Sequence, residues 1–332
     1  MSTQVLTPIT QALNDGALTR RELKALMRRS DWPATWRLGI WIVALLCTGS
    51  LVWLAMGTLW VWPAMFVHGI LMVHHFALQH ECVHYTPFKT RWLNDVMGNI
   101  CGFIIGLPHQ YFRYEHCDHH THTQLTGEDP ELIPLPQSIW GYLWYITAVP
   151  YWWAKIKEFS RHIAGRLNEG DKVFVPKDAE HVVFWEARIM AGLYLAILLA
   201  CIATGWWAPL WYWWLPVLLG EPVMRWIRLT EHVGRPNVRD MRENTRTNLI
   251  SKPLAFLSWN MNYHAEHHYA ASVPFHALPK LHEKLDGYVY VEPRGYLGAH
   301  LDILAQLLGR SPRSDSVKPT VKGADKPGAA KA

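Results

Sequence analysis

From Leu38 to His80 the chain carries no Asp, Glu, Lys or Arg. One helix of that length would run roughly 65 Å, about twice the hydrocarbon thickness of a bilayer. The run therefore predicts two spans joined by a tight turn near Gly57. A second charge-free run extends from Ile189 to Gly220, with Gly205 and Pro209 near its middle. It predicts a second hairpin whose last helix extends toward Arg225. Both runs far exceed the ~18 residues that mark a membrane span, so a buried soluble core is the weaker alternative.

Shorter apolar stretches lie between the hairpins. Val96–Phe112 is uncharged but short, and carries Gly98, Gly102 and Gly106 before Pro108. Leu132–Ala154 is rich in Trp and Tyr and contains Pro134, Pro136 and Pro150. Its aromatic belt character assigns it to the membrane interface. Residues 155–185 read as a polar loop. The domain expectation is a cytoplasmic arm over 1–35 with an amphipathic helix around Arg20–Arg29, a membrane domain over 36–308, and a disordered tail over 309–332.

Composition sharpens this picture. The mean hydropathy of −0.02 hides the membrane character, because 19 Trp and 19 His score as polar. Only 18% of residues are charged, against a usual quarter. Net charge is 32 − 27 = +5, with much of the excess in Arg20, Arg21, Lys24, Arg28 and Arg29 and in the Lys-rich tail. By the positive-inside rule these belong on the cytoplasmic face. So small a charge gives no reason to expect nucleic-acid binding. The first 30 residues lack the apolar stretch of a cleavable signal. The five cysteines (Cys47, Cys82, Cys101, Cys117, Cys201) include no CxxC pair, so no zinc ribbon or iron–sulfur set is expected.

The chemistry lies in three histidine boxes: His80-Glu-Cys-Val-His84, His116-Cys-Asp-His119-His120 and His264-Ala-Glu-His267-His268. Residues three and four apart share a helix face, so each box aims two or three imidazoles at one point. An HxxxH pair is weak alone. An HxxHH triple is expected by chance roughly 0.06 times in such a chain, so two of them form the strong signal. Eight imidazoles exceed what one ion needs when a position must stay open for chemistry, and two metals fit better. Iron is favoured, with zinc or copper left open. If the boxes build one site, an even number of crossings separates them. Val96–Phe112 must then dip in without crossing, leaving four spans in two hairpins.

Other residues carry second-rank expectations. Glu81, Asp118 and Glu266 inside the boxes, and Asp129 and Glu231 near them, are candidates to orient ligand N–H groups; solvated loop charges are the plainer reading. His122 is a candidate for a similar supporting role. His74 and His75 lie roughly 120–140° around the helix from His80, off the ligand face. With His68, they are expected to bond other helices. His276 and His282 are not expected to be ligands.

The order of these boxes around two hydrophobic hairpins resembles the membrane fatty-acid desaturase and hydroxylase superfamily. The likeness runs from about residue 38 to 305. It is most specific in Trp259-Asn-Met-Asn-Tyr-His264 through His268 and in Val273-Pro-Phe-His-Ala-Leu-Pro-Lys-Leu-His282, which look like bacterial desaturases. Thr230-Glu231-His232 is also similar, and the resemblance makes His232 a ninth ligand. One departure is Arg228, where acyl-CoA desaturases carry an Asn that holds an iron-bound water. The first box is also one residue shorter than theirs, so their substrate is not inherited.

The resemblance implies an O2-dependent desaturase with two irons (Fe2+/Fe3+), acting on a fatty acyl chain or similar apolar substrate. A hydroxylase, ketolase or monooxygenase of a lipid, alkane or small amphipathic metabolite is the alternative on the same scaffold. No haem-binding, flavin or iron–sulfur segment is present. Electrons are therefore expected from an external ferredoxin or a cytochrome b5-like protein with its reductase, docking on basic surface. A metal transporter is disfavoured, because its ligands would lie near the bilayer midplane. The full expectation is an all-α, multi-pass integral membrane protein of the bacterial inner membrane. A cytoplasmic helical cap would hold the two-metal site, with that site and both termini in the cytoplasm.

Overall fold

The structure, a computed structural model, describes residues 8–14, 16–285 and 287–310, so the expected tail lies almost wholly outside it. The arm opens with α1 (Pro8–Asn14) and α2 (Arg20–Leu26). A reciprocal cap starts α2: the Thr19 hydroxyl accepts from the Glu22 N–H at 3.2 Å, and Thr19 N–H donates to the Glu22 carboxylate at 3.0 Å. Leu18, Leu23 and Leu26 pack on Ala265, Tyr269 and Leu281, so the arm caps the segment that carries the third box.

The first hairpin is α3 (Asp31–Ala55) followed by α4 (Val61–Val73) and α5 (His75–Val83). Gly57 makes the turn with φ +79°, a left-handed conformation that favours glycine. α4 and α5 form one span, Val61–Val83, stepped at His74. α6 (Arg91–Ile105) packs along α5, and at 15 residues it covers about 22 Å, too short to cross. Gly106 ends it at φ +75° and turns the chain into α7 (His109–His122), which carries the second box. α8 (Ile139–Ile146), α9 (Val149–Ile163) and α10 (Asp171–Phe174) follow, then α11 (Glu180–Thr204).

A π-helical turn, Leu210–Trp214, leads straight into α12 (Leu215–His232). Among the described residues three helices are long and apolar enough to cross a membrane: Asp31–Ala55, Val61–Val83 and Lys177–Thr204. The segment Leu210–His232, expected as the fourth span, is not one of them. Its second half carries Glu221, Arg225, Arg228 and Glu231. The first and third spans leave Leu46, Trp53, Leu54, Leu199 and Ile202 more than half exposed, an apolar girdle that suits lipid rather than water. The chain is thus a mostly helical, membrane-associated protein.

α12 runs parallel to α4 and α5. Val61 and Met65 meet Trp211, Tyr212 and Leu215 at one end, and Phe76 meets Met224 toward the other. The crossing is backbone on backbone. A Cβ on Gly69 would lie 2.0 Å from the Pro216 carbonyl oxygen, and one on Gly220 would lie 2.3 Å from that of Gly69. Small residues at both positions permit this approach. Its consequence is positional: two parallel rods end together, one in His80 and His84, the other in His232.

The remaining chain folds over that end. α13 (Lys252–Leu257), α14 (His264–Tyr269), α15 (Leu278–Lys284) and α16 (Gly295–Leu307) are short. A two-residue parallel pair, β1 (Thr247–Asn248) with β2 (Val291–Glu292), ties them together and was not anticipated in an all-α reading. The three intramembrane histidines off the ligand face behave in two ways. His68 bonds Thr48 of α3 at 2.7 Å and the Tyr212 carbonyl at 3.1 Å, as expected. His74 and His75 instead bond carbonyls of their own rod, Ile70 at 2.6 Å and Met72 at 2.7 Å, beside the helix step.

Candidate metal centre

Each box arises from a local helical reason. His80 is on the last turn of α5 and His84 is its C-cap, so the i, i+4 pair shares one face. His116, His119 and His120 occupy the last turns of α7. His264, His267 and His268 fill α14, a six-residue helix with all residues buried. His232 closes α12.

These nine side chains converge into two adjoining groups. His80, His84, His116, His120 and His267 form one; His119, His232, His264 and His268 form the other. Within each group one ring nitrogen per residue lies within 4.8 Å of all the others. Neither group comes from one box. The second box gives His116 and His120 to the first group and His119 to the second, and α14 divides likewise. The groups touch, since the His120 and His268 rings stack at 4.1 Å.

The contacts inside each group fit a bound ion. Nε2 atoms approach at 3.0 Å between His116 and His120, 3.2 Å between His120 and His267, 2.8 Å between His232 and His264, and 3.1 Å between His264 and His268. Nitrogens about 2.1 Å from an ion stand roughly 3.0 Å apart around an octahedron and roughly 3.4 Å apart around a tetrahedron. The observed spacings are those of polyhedron edges. In addition, Nε2 of His80, His84 and His119 is buried without a hydrogen-bond partner. Lone pairs left so in a protein interior need a partner, and a metal supplies one.

The surroundings favour the neutral form of most of the rings and orient several of them. Burial lowers His84 to about 3, with Arg113 and His119 adding to the effect. Burial likewise holds His116, His120, His264, His267 and His268 well below the ordinary imidazole value, with neighbouring rings contributing. His119 differs: burial lowers it, but the Glu131 charge and the Asp129 hydrogen bond outweigh this and raise it. Asp129 accepts from His119 Nδ1 at 2.7 Å, and Glu131 accepts from His116 Nδ1 at 2.6 Å. A proton fixed on Nδ1 leaves the Nε2 lone pair for metal. His232 Nδ1 faces the Asn244 carbonyl at 3.2 Å, and His268 Nδ1 faces the Thr123 hydroxyl at 3.2 Å.

The other candidates fall into place unequally. Glu81 lies 3.6 Å from His267 Nδ1 and 3.8 Å from His80 Nδ1, while accepting from Thr86 and the Phe275 N–H. Glu231 stands 3.9 Å from His264 Nε2 and binds Arg228 at 2.5 Å. Arg228 also binds Glu131 at 2.7 Å, so its guanidinium links carboxylates beside both groups. Asp118 and His122 face each other at 3.3 Å at the edge, and no hydrogen bond ties them to the nine rings. The helix turn explains this, since they share a face that the ligands do not. Glu266 points away from the centre, accepting from Thr247 and from His282 Nδ1 at 2.6 Å. His282, not expected as a ligand, therefore serves the third box indirectly. Glu131, Thr123 and Asn244 were not anticipated. Glu131 had one signal: it stands with Asp129 on either side of Pro130, just past the second box.

Similar proteins match most of the chain. A fatty acid desaturase family model matches residues 60–296. An sn-1 oleoyl-lipid 12-desaturase of Anabaena variabilis is 23% identical over 274 residues, covering 73% of this chain and 70% of that protein. The protein of the same name from Synechocystis sp. is 23% identical over 252 residues, covering 71% and 69%. A fatty acid conjugase of Calendula officinalis is 22% identical over 250 residues, covering 65% and 66%.

Proposed function

This chain belongs to the fatty acid desaturase family and is an oxidoreductase; from that premise we propose that it is an O2-dependent desaturase with two irons, introducing a double bond into a fatty acyl chain or similar apolar substrate. The observation that carries this is the sorting of nine imidazoles into adjoining groups of five and four. His80, His84, His116, His120 and His267 hold one iron, and His119, His232, His264 and His268 hold the other. Bound iron supplies the dioxygen chemistry that removes hydrogen from an unactivated carbon. The chain supplies ligand geometry, orientation and exclusion of water.

Asp129 and Glu131 keep the His119 and His116 rings in the metal-binding tautomer, and Glu81 places a carboxylate near His267 and His80 without bonding either ring. The topology is multi-pass, with Leu210–His232 as the fourth span, its charged half sheltered against α4 and α5. The metal end and both termini face the cytoplasm of a bacterial inner membrane, consistent with the basic arm. An external ferredoxin, or a cytochrome b5-like protein with its reductase, provides electrons.

The test is purification with metal analysis, joined to lipid and metabolite profiling of an expressing host. About two irons per chain are expected, with an unsaturated product that disappears in His264→Ala. A product heavier by one oxygen instead of lighter by two hydrogens would assign the hydroxylase alternative. Full activity in iron-free protein would overturn the reading.

A further inference from the structure

Two carbonyls at the end of α6 are capped by side chains from other elements. The Tyr194 hydroxyl of α11 donates to the Phe103 oxygen at 2.6 Å, and Trp213 Nε1 donates to the Ile104 oxygen at 2.7 Å. The Tyr194 ring also stacks on Phe103 at 4.7 Å. Tyr194 thus pins α11 to α6 at one level. On the His181 side of that pin a cavity of about 680 Å³ lies between the two helices, walled by Ile100, Phe103, Trp185, Ile189, Met190 and Leu193.

This groove opens on the lipid side of a membrane span. Ile100, Trp185, Ile189 and Leu193 line it, yet each is roughly half exposed or more. On α11 the apolar lining runs from Val182 to Leu193. That is about 17 Å of helix, close to the ~15 Å hydrocarbon depth of one leaflet. A hydrocarbon chain fits this length and lining, whereas water along it would lack the two to four polar partners it needs.

Hydrophobicity alone does not fix a lipid there, because lipid tails are as apolar as the walls. The polar end of the groove supplies the preference. Asn99, Gln110, His181 and Glu186 gather at that end, and none of the described lining residues is Lys or Arg. Glu186 already accepts from the Gln110 N–H at 2.9 Å and the Tyr111 N–H at 3.2 Å, so these first N–H groups of α7 are taken. An anionic group therefore meets neither a cation nor an open helix terminus. Asn99 already donates to the Asp95 carbonyl at 2.8 Å. The Gln110 side-chain amide has no hydrogen bond among the described residues. An uncharged donor of this kind matches an uncharged acceptor, the ester carbonyl of a glycerolipid.

We propose that the groove between α6 and α11 holds one acyl chain of a bilayer glycerolipid, its ester carbonyl on the Gln110 amide. Gln110 precedes His116 on α7 by about 9 Å of helix, so the site is separate from the histidines and braces the helix that carries the second box. The inference goes beyond the desaturase reading and stands without it.

The test is photocrosslinking of the full chain in phosphatidylcholine vesicles doped with a diester phosphatidylcholine carrying a diazirine in one acyl chain. Crosslinked residues are identified by mass spectrometry. Labelling at Phe103 and Met190, in the groove, is compared with labelling at Leu46 and Leu54 on the open face of α3. The groove should label several-fold more strongly. With the diether form of the probe, groove labelling should fall about 2–10-fold, the worth of one hydrogen bond, while α3 labelling stays constant. Gln110→Leu should remove the ester preference. Ile100→Trp fills the groove and should abolish its labelling, whereas Leu195→Trp, exposed on α11 outside the groove, should leave it intact. Groove labelling no stronger than on α3, equal labelling by the two probes, or labelling unchanged in Ile100→Trp would overturn the inference.

Discussion

Asp129 and Glu131, two residues apart in one loop, each hold a ring of a different histidine group, and this allows the proposed five-and-four partition of metal ligands to be tested directly. Asp129 accepts from His119, in the four-histidine group, and Glu131 accepts from His116, in the five-histidine group. Replacing either carboxylate by its amide keeps the shape and removes the charge that makes the imidazole more basic. Loss of such a supporting carboxylate costs about 10–100-fold in metal affinity, or roughly 1.4–2.8 kcal/mol. Glu131→Gln should therefore weaken one site by that amount and leave the other nearly unchanged, and Asp129→Asn should do the reverse. Glu131→Gln carries a second cost, because its amide N–H2 would face the Arg228 guanidinium now 2.7 Å from the carboxylate. Arg228 retains Glu231, so the guanidinium is not stranded. The assay is iron retained per chain against a graded chelator, read together with Mössbauer spectra that distinguish the two environments. Each variant should pass through a one-iron plateau, and the iron that survives should differ between them. Loss of both irons together in both variants, or loss of the same iron in each, would refute the partition.

Three further outcomes are expected. Gly69→Ala places a methyl 2.0 Å from the Pro216 oxygen and should lower thermal stability in detergent by about 1–3 kcal/mol or more, whereas Gly192→Ala, with nothing within 4 Å, should be neutral or stabilising. Tm by tryptophan fluorescence checks this, and equal effects would contradict the backbone crossing. Metal binding should release more proton from the four-histidine group than from the five-histidine group, because Glu131 and Asp129 raise His119 in the free protein and any proton on its coordinating nitrogen must leave. The five-histidine group should release none, since His84 stays neutral down to about 3 and His116, His120 and His267 are also lowered. Titration in buffers of different ionisation enthalpy measures this, and affinity of the four-histidine group should accordingly fall first as pH drops below neutrality. His282→Ala should weaken the third box indirectly, by freeing the Glu266 carboxylate it binds at 2.6 Å, and iron retention should fall less than in His264→Ala.

What the sequence made legible was local, and what it left out was assembled across elements. Charge-free runs and the turn at Gly57 are properties of contiguous residues, so the first hairpin followed from them. The boxes were equally visible, because i, i+3 and i, i+4 spacing puts imidazoles on one face whatever the surroundings. Which imidazole joins which group could not follow from spacing, for α7 and α14 each turn one face toward two centres at once. His119 and His120 are chain neighbours, yet belong to different groups because about 100° of helix rotation separates them. Glu131 was missed because a loop carboxylate is identified only by the ring it reaches. The charged half of α12 keeps Leu210–His232 out of the helices apolar enough to cross a membrane, and its cations and carboxylates are matched inside the fold, Arg228 with Glu131 and Glu231, Arg225 with Glu221. Hydropathy counts each of those residues as repelled by lipid, although none of them faces it. Arg228 among them links carboxylates beside both groups of histidines. A polar helix end packed against two apolar ones is what brings His232 to the other imidazoles, so the charge there follows from the chemistry at that end of the helix.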